Sequence, residues 1–391
     1  MRALPALLLL AFALGCATKA SVPTPVPPVP SPAWAMEGGD PARTSRTYAG
    51  VSPGWKSRTT YRLGAEGRYA PEEHAGPLII DGVAYVGHSG KRFEAVRLAD
   101  GKPLWTIPLS GGVHTTAASA AGVLVFGDDH GVVTAADLQG KVLWSFNTSY
   151  PVISSPLIAD GKVYVGVSDQ NLFCLDAASG TPVWQYGRQA PRRHGLWRSM
   201  GLCYGEGKVF VGFADGTLVA LDAGLGRVLW RQEIGGLQLF GDVAAGPSYA
   251  GGAVFAAAFG GPTVSLDAAS GDPLWRAELE GASGFAVGDD AVYLGTADGA
   301  VAALRRSDGA LLWQRALDGG VAAPPVLAGD VLVTAASGGG FYVLDAGDGA
   351  VRYHYRPGPG AHAQAAVTAE GMLFHSDGAV LHWVHGGQKW D

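Results

Sequence analysis

Cysteine is scarce in this chain of 391 residues: there are three, Cys16, Cys174 and Cys203, and no two are adjacent. That excludes a small scaffold held together by disulfides. Positive charge is thin as well. Lys and Arg number 28 against 34 Asp and Glu, the net charge is −6, and no Lys/Arg run exceeds two residues. A nucleic-acid binder needs a basic stripe, so that class drops out. After residue 15 no apolar run is long enough to cross a bilayer. Metal ligands in a usable pattern are missing too. His382 and His385 stand three apart in a stretch that reads as a strand, which puts them on opposite faces.

What the chain does have is a repeated phrase. One clear copy, GKVYVGVSDQNLFCLDAASGTPVW, runs from Gly161 to Trp184. Val-Tyr-Val alternates as a strand does, a polar turn follows, and Leu172 to Leu175 form a second strand ending in Asp176. Ser179-Gly180 then turns the chain into a third strand carrying Trp184. Closing aromatics recur at Trp105, Trp144, Trp184, Trp230, Trp275 and Trp313, and by position at Tyr353 and Trp390, with spacings of 39, 40, 46, 45, 38, 40 and 37 residues. A period near forty with about four strands per unit predicts propeller blades. Eight is the count, seven the alternative if the Tyr353 or Trp390 unit is degenerate. The 59 glycines fall mostly at blade turns, so their number signals turn chemistry and not disorder.

The repeated residues have a structural job. Asp137, Asp176, Asp222, Asp267 and Asp345 precede the closing aromatic by seven or eight residues. At that spacing the carboxylate accepts backbone N–H groups of the turn that follows. Gly before the last strand supplies positive φ, and the aromatic packs between blades. None of these residues is a catalytic candidate.

Both ends of the chain are informative. Met1-Arg2, the apolar run Leu4 to Leu14 and Ala13-Leu14-Gly15-Cys16 make residues 1–15 a signal peptide. Its ending resembles a bacterial lipobox, which implies acylation (palmitate included) of Cys16. Ala13 departs from the usual aliphatic residue. Ala17-Thr18, not Asp, implies by the same resemblance an outer-membrane, periplasm-facing destination. Residues 16–33 are a tether with six prolines between Ser21 and Pro32, extended at roughly 3 Å per residue and reaching on the order of 50 Å at most. Residues 34–391 are the propeller. Trp34 to Gly50 reads as an irregular cap over one end. Trp55 to Leu63 is a lone strand ahead of the first full blade near Leu78, and the last unit is about one strand short. The early strand is therefore expected to complete the last blade.

The segments LDAASGTPVW, LDAGLGRVLW and LDAASGDPLW resemble the tryptophan-docking repeat of the quinoprotein (PQQ-like) β-propellers, and the GGDPARTSRT opening is similar to that superfamily's N-terminal segment. The fold class this implies is all-β, an eight-bladed propeller of four-stranded antiparallel blades. Within the superfamily, the acylated signal, single propeller and length are most similar to the BamB-like lipoproteins of outer-membrane β-barrel assembly. That resemblance implies a non-catalytic scaffold whose partners are a BamA-like barrel-assembly protein and unfolded barrel substrates. In that family two inter-blade loops form the docking surface. The matching loops here are RQAPRRHGLWRSMG and EIGGLQLFGDVAAGP, the source of the two longest spacings. Leu196 and Arg198, with Trp197 between them, approximate the first loop. Asp242 matches the second, and Ala244 stands where a further acid is expected. Trp and Arg are favoured interface anchors, and exposed blade edges could pair with incoming peptide by strand addition.

The superfamily also contains quinone-dependent dehydrogenases, which hold the cofactor over a ring of Trp, often against adjacent cysteines, with Ca²⁺ and an Asp base. This chain has no adjacent Cys pair. Cys174 and Cys203 are either a disulfide or two buried thiols. Ser154-Ser155 and Thr115-Thr116 have no His and acid in register, and the Gly338 to Gly340 run precedes a strand, so it is a turn and not a phosphate cradle. The sequence thus yields no catalytic residue, cofactor or metal site. A propeller binding another envelope protein or polymer is the alternative to the assembly scaffold, and the quinone enzyme stands behind both.

Overall fold

The computed structural model describes residues 33–48, 57–63, 73–187, 200–235, 243, 245–338, 340–356, 358 and 360–385. Its strands form eight sheets arranged as successive blades. Numbering by inner strand, blades 1 to 7 span 78–108, 118–147, 157–187, 202–233, 245–277, 282–316 and 326–355. Blade 8 takes its three inner strands from 366–385 and its outer strand from Ser57–Arg62. The eight-blade count and the closure by the early strand are both as the sequence predicts.

Each blade is a meander because its sequence alternates β-rich runs with turns that only Gly, Asp or Ser tolerate. In blade 3, Lys162–Gly166 pairs with Asn171–Asp176, which pairs in turn with Pro182–Gly187. Middle strands are buried on both faces and the outermost strand is half exposed. This gradient places the core between blades. At the seam of blades 1 and 2, Phe93 stacks on Phe126 with ring centroids 4.0 Å apart, and Phe341 stacks on Phe374 at 3.8 Å between blades 7 and 8. Such a pair adds about 0.5–1.5 kcal/mol beyond its buried area.

The repeated Asp and Trp meet at these seams. The carboxylate of Asp176 accepts the amides of Ala178 and Ser179, and Asp222 accepts those of Gly224 and Leu225. Asp137, Asp267 and Asp345 do the same in their turns. The residue after each Asp then offers its carbonyl to the indole of the preceding blade. Trp105 donates to Leu138, Trp144 to Ala177, Trp184 to Ala223, Trp230 to Ala268 and Trp313 to Ala346, at 3.0–3.1 Å. Trp275 donates to the carbonyl of Arg306 at 2.8 Å.

The closing aromatic expected at Trp390 lies outside the described residues. At the seam of blades 8 and 1 the docking aromatic is Tyr61, whose phenol donates to the carbonyl of Leu98. The reason is topological: the fourth strand of blade 8 comes from the N-terminal side, so its aromatic comes from there too.

The segment from Trp34 to Thr47 is the cap that its composition suggested, with a single two-residue strand. Trp34 bridges Ile79 of blade 1, and Arg46–Thr47 pairs in parallel with the inner strand of blade 7. Between them, the carbonyls of Ala35, Pro41, Ala42 and Thr44 accept amides from blades 2, 4, 5 and 6. The amide of Gly38 donates to Gln364 beside blade 8. Arg43, buried at the centre, donates to the carbonyls of Leu202, Ser155 and Pro156 at 3.1–3.2 Å and to that of Glu37. The segment closes one end of the central channel.

Candidate functional site

The outer strand of each blade is followed in the chain by the inner strand of the next. Two of those connections are the long ones, leaving Gly187 for Leu202 and Glu233 for Ala245. They join blade 3 to blade 4 and blade 4 to blade 5. Leu196, Trp197, Arg198, Asp242 and Ala244 lie outside the described residues, as do Cys16 and the tether.

The loop ends are described, and they are anchors. Met200 is 2% exposed and packs over Gly166, where a Cβ would meet its Sδ at 2.4 Å. Val243, 1% exposed, packs in the same way over Gly212. Val113 over Gly87 and Val152 over Gly127 repeat the contact at earlier seams. Val243 is therefore a packing anchor, and Asp242 beside it is the docking candidate of the second loop.

Met200, Gly201 and Gly246 also border a cavity of about 590 Å³ at the open end of the channel. Its polar lining includes Glu37, His74, His114, Asp129 and His362. His362 Nε2 lies 3.4 Å from Asp377 Oδ2, and His114 Nε2 lies 3.5 Å from Asp129 Oδ2. His74 and His362 have ring centroids 5.2 Å apart. Behind them, fully buried Glu73 accepts the hydroxyl and amide of Ser89 at 2.9 and 3.2 Å. Burial pushes its carboxyl up, against those two bonds. Sequence reasoning missed these residues because they sit on connections far apart in the chain, and no local spacing links them.

Two of the hydroxyls set aside as non-catalytic stitch seams: Thr116 Oγ1 accepts the amide of Gly76, and Ser155 Oγ accepts that of Thr116. Ser154 Oγ accepts the amide of Gly166 within blade 3, and buried Thr115 Oγ1 has no hydrogen-bond partner among the described residues. Cys174 and Cys203 are free thiols, buried separately in blades 3 and 4, which decides between the two readings of the pair. Burial pushes the Cys174 thiol up to about 12 and the Cys203 thiol well above its usual range.

The described residues do not fit a quinone site: among them, the cavity lining holds no Trp and no Cys. Among the described residues, no group of three His, Cys, Asp or Glu could hold a metal ion. The cap reaches this cavity through Glu37, while Arg43 is buried against the carbonyls of Leu202, Ser155 and Pro156.

Comparison with known proteins places this architecture. The chain is 30% identical over 119 residues to an "Outer membrane protein assembly factor BamB" of Nitrosomonas eutropha, covering 29% of this chain and 28% of that protein. It is 32% identical over 139 residues to the dehydrogenase subunit of a quinone alcohol dehydrogenase of Gluconacetobacter polyoxogenes, covering 28% of this chain and 19% of that one. Each alignment spans well under half of the relative's own length. The crystal structure of BamB from Moraxella catarrhalis superposes with a TM-score of 0.73 at 21% identity, over 84% of this chain and 98% of that one, a likeness of fold. The family model described as "Outer membrane protein assembly factor BamB" matches residues 89–279 and 260–387, and with more than half its length so matched this chain belongs to that family of PQQ-like propellers.

Proposed function

We propose that this protein is a BamB-like accessory factor: a non-catalytic scaffold, acylated at Cys16 on the periplasmic side of the outer membrane, that assists assembly of β-barrel proteins. The family match across blades 1 to 8 carries this reading. The signal peptide, lipobox-like Cys16 and proline tether supply the address. The docking surface in this reading is formed by Leu196, Trp197 and Arg198 with Asp242, reaching a BamA-like partner, while the rigid ring holds unfolded barrel substrate nearby. Function carried on long loops of a rigid scaffold is the usual division of labour in such folds.

The test is affinity purification of the tagged full chain from mildly solubilised envelopes, with mass spectrometry, beside Arg198→Glu and Asp242→Arg. Recovery of the barrel-assembly protein by the unaltered chain and its loss in both variants supports the reading. Intact complexes in the same envelopes with none bound to this protein overturn it.

A quinone dehydrogenase is the second reading, favoured by the 32% identity to the alcohol dehydrogenase subunit and opposed by the channel lining. Spectroscopic titration with pyrroloquinoline quinone and Ca²⁺ separates the two, since a scaffold takes up no chromophore. A propeller that binds another envelope protein or polymer would show itself as a different partner in the same purification.

A further inference from the structure

Blade 8 is built from both ends of the described chain, and it carries a buried imidazole on each face. His375, fully buried, has Nδ1 2.9 Å from the carbonyl of Ala75, on the segment that enters blade 1. Its Nε2 has no hydrogen-bond partner among the described residues. His382 faces the other way. Its ring lies 5.4 Å from that of Phe341 in blade 7, its Nε2 is 2.8 Å from Ser376 Oγ, and its Nδ1 has no partner among the described residues. Burial pushes both imidazoles down, to about 4.

The fold does not ask for an imidazole at position 375. His375 pairs in register with Leu381. The equivalent residues Gly87, Gly127, Gly166 and Gly212 hold this place in the first four blades, and Ala257, Gly295 and Ala335 in the next three. A small residue suffices at seven seams. At the eighth, where the ring is closed without chain continuity inside the blade, a titratable one stands instead.

We propose that blade 8 is an acid-sensitive latch: neutral His375 and His382 hold it between blades 7 and 1, and their protonation releases it together with the strand Ser57–Arg62.

The surroundings leave a second proton poorly received. From blade 1, His88 Nε2 and Arg92 Nη1 each lie 3.8 Å from Glu94 Oε1, so that carboxylate already has two basic neighbours. Asp377 is shared with His362 and with the amide of Glu73. Burial pushing Asp377 up is outweighed by those bonds, and its carboxyl stays below the usual range. Glu73 is engaged by Ser89. On the blade 7 side His382 meets the rings of Phe341 and Tyr355, which offer no anion at neutral pH.

The sign follows from linkage. An opened blade returns its imidazoles to the ordinary value of 6.5, so between 6.5 and about 4 the open state binds protons that the closed state does not. Closure is at full strength above 6.5 and is lost as the pH falls toward 4. At pH 5 each imidazole shifts the opening equilibrium by on the order of thirtyfold. Glu73, raised by burial, works in the opposite direction and offsets part of this.

Hydrogen–deuterium exchange of the full chain at pH 7.5 and 5.0, corrected for intrinsic rates, tests the latch. Strands 57–62 and 371–385 are expected to lose protection at least tenfold more than the strands of blade 4, and His375→Ala with His382→Phe to abolish the difference. Should that double variant not fold, His375→Gln, neutral at both pH values, is expected to halve the loss on a logarithmic scale. Uniform protection at pH 5.0, or a loss that persists unchanged in the non-titrating variants, overturns the proposal.

Discussion

Trp184 Nε1 donates to the carbonyl of Ala223 at 3.1 Å, across the seam from blade 3 to blade 4. The turn that presents this carbonyl is held by Asp222, and its Gly226 lies flat beneath the indole. A Cβ there would sit 2.6 Å from the ring, at a φ of +67°. Glycine is required twice over, by backbone conformation and by contact. Gly226→Ala is expected to cost about 2–4 kcal/mol, from left-handed strain plus overpacking. A melting temperature within a degree of the unaltered protein would contradict this.

Tyr61 does for blade 8 what indoles do for blades 1 to 6. Tyr61→Phe loses one buried hydrogen bond, about 1 kcal/mol. Tyr61→Ala also leaves a cavity at the closing seam and is expected to cost about 3–5 kcal/mol. Denaturant titration of both variants checks the order. Equal losses would mean that the ring packing contributes nothing.

Arg43 satisfies carbonyls from two blades and from the cap itself. Arg43→Met keeps the volume but strips the donors, leaving buried acceptors unpaired at about 1–3 kcal/mol each. The expected result is lower stability and faster proteolysis after residue 34, read by limited digestion and N-terminal sequencing. Unchanged digestion would show the cap held by its backbone bonds alone.

The two propeller thiols are buried with raised pKa values, so the thiolate is scarce at pH 8. Ellman's reagent is expected to find neither of these two thiols in the native protein and both in guanidinium without prior reduction. Zero in guanidinium would mean that they are oxidised.

The fold was legible because a repeat states its rule many times. Asp176, Gly180 and Trp184 recur with Asp222, Gly226 and Trp230, and each copy folds locally by turn chemistry that needs no distant partner. Closure was legible for the same reason, as a lone early strand and a short last unit imply each other. The docking of each Trp on a turn carbonyl of the next blade was not, since the two lie 31 to 39 residues apart.

By itself, the sequence determined the blade number, the turn residues and the ring closure, because these follow from local β-propensity and period. Only the tertiary structure decided that Tyr61 docks at the seam of blades 8 and 1, that Val243 is an anchor, and that His74, His114 and His362 share one channel mouth. It also decided that His375 and His382 lie on opposite faces of a blade built from both ends of the chain. Curling eight sheets into a ring sets distant residues against one another, and the seams where they meet have no counterpart in sequence order.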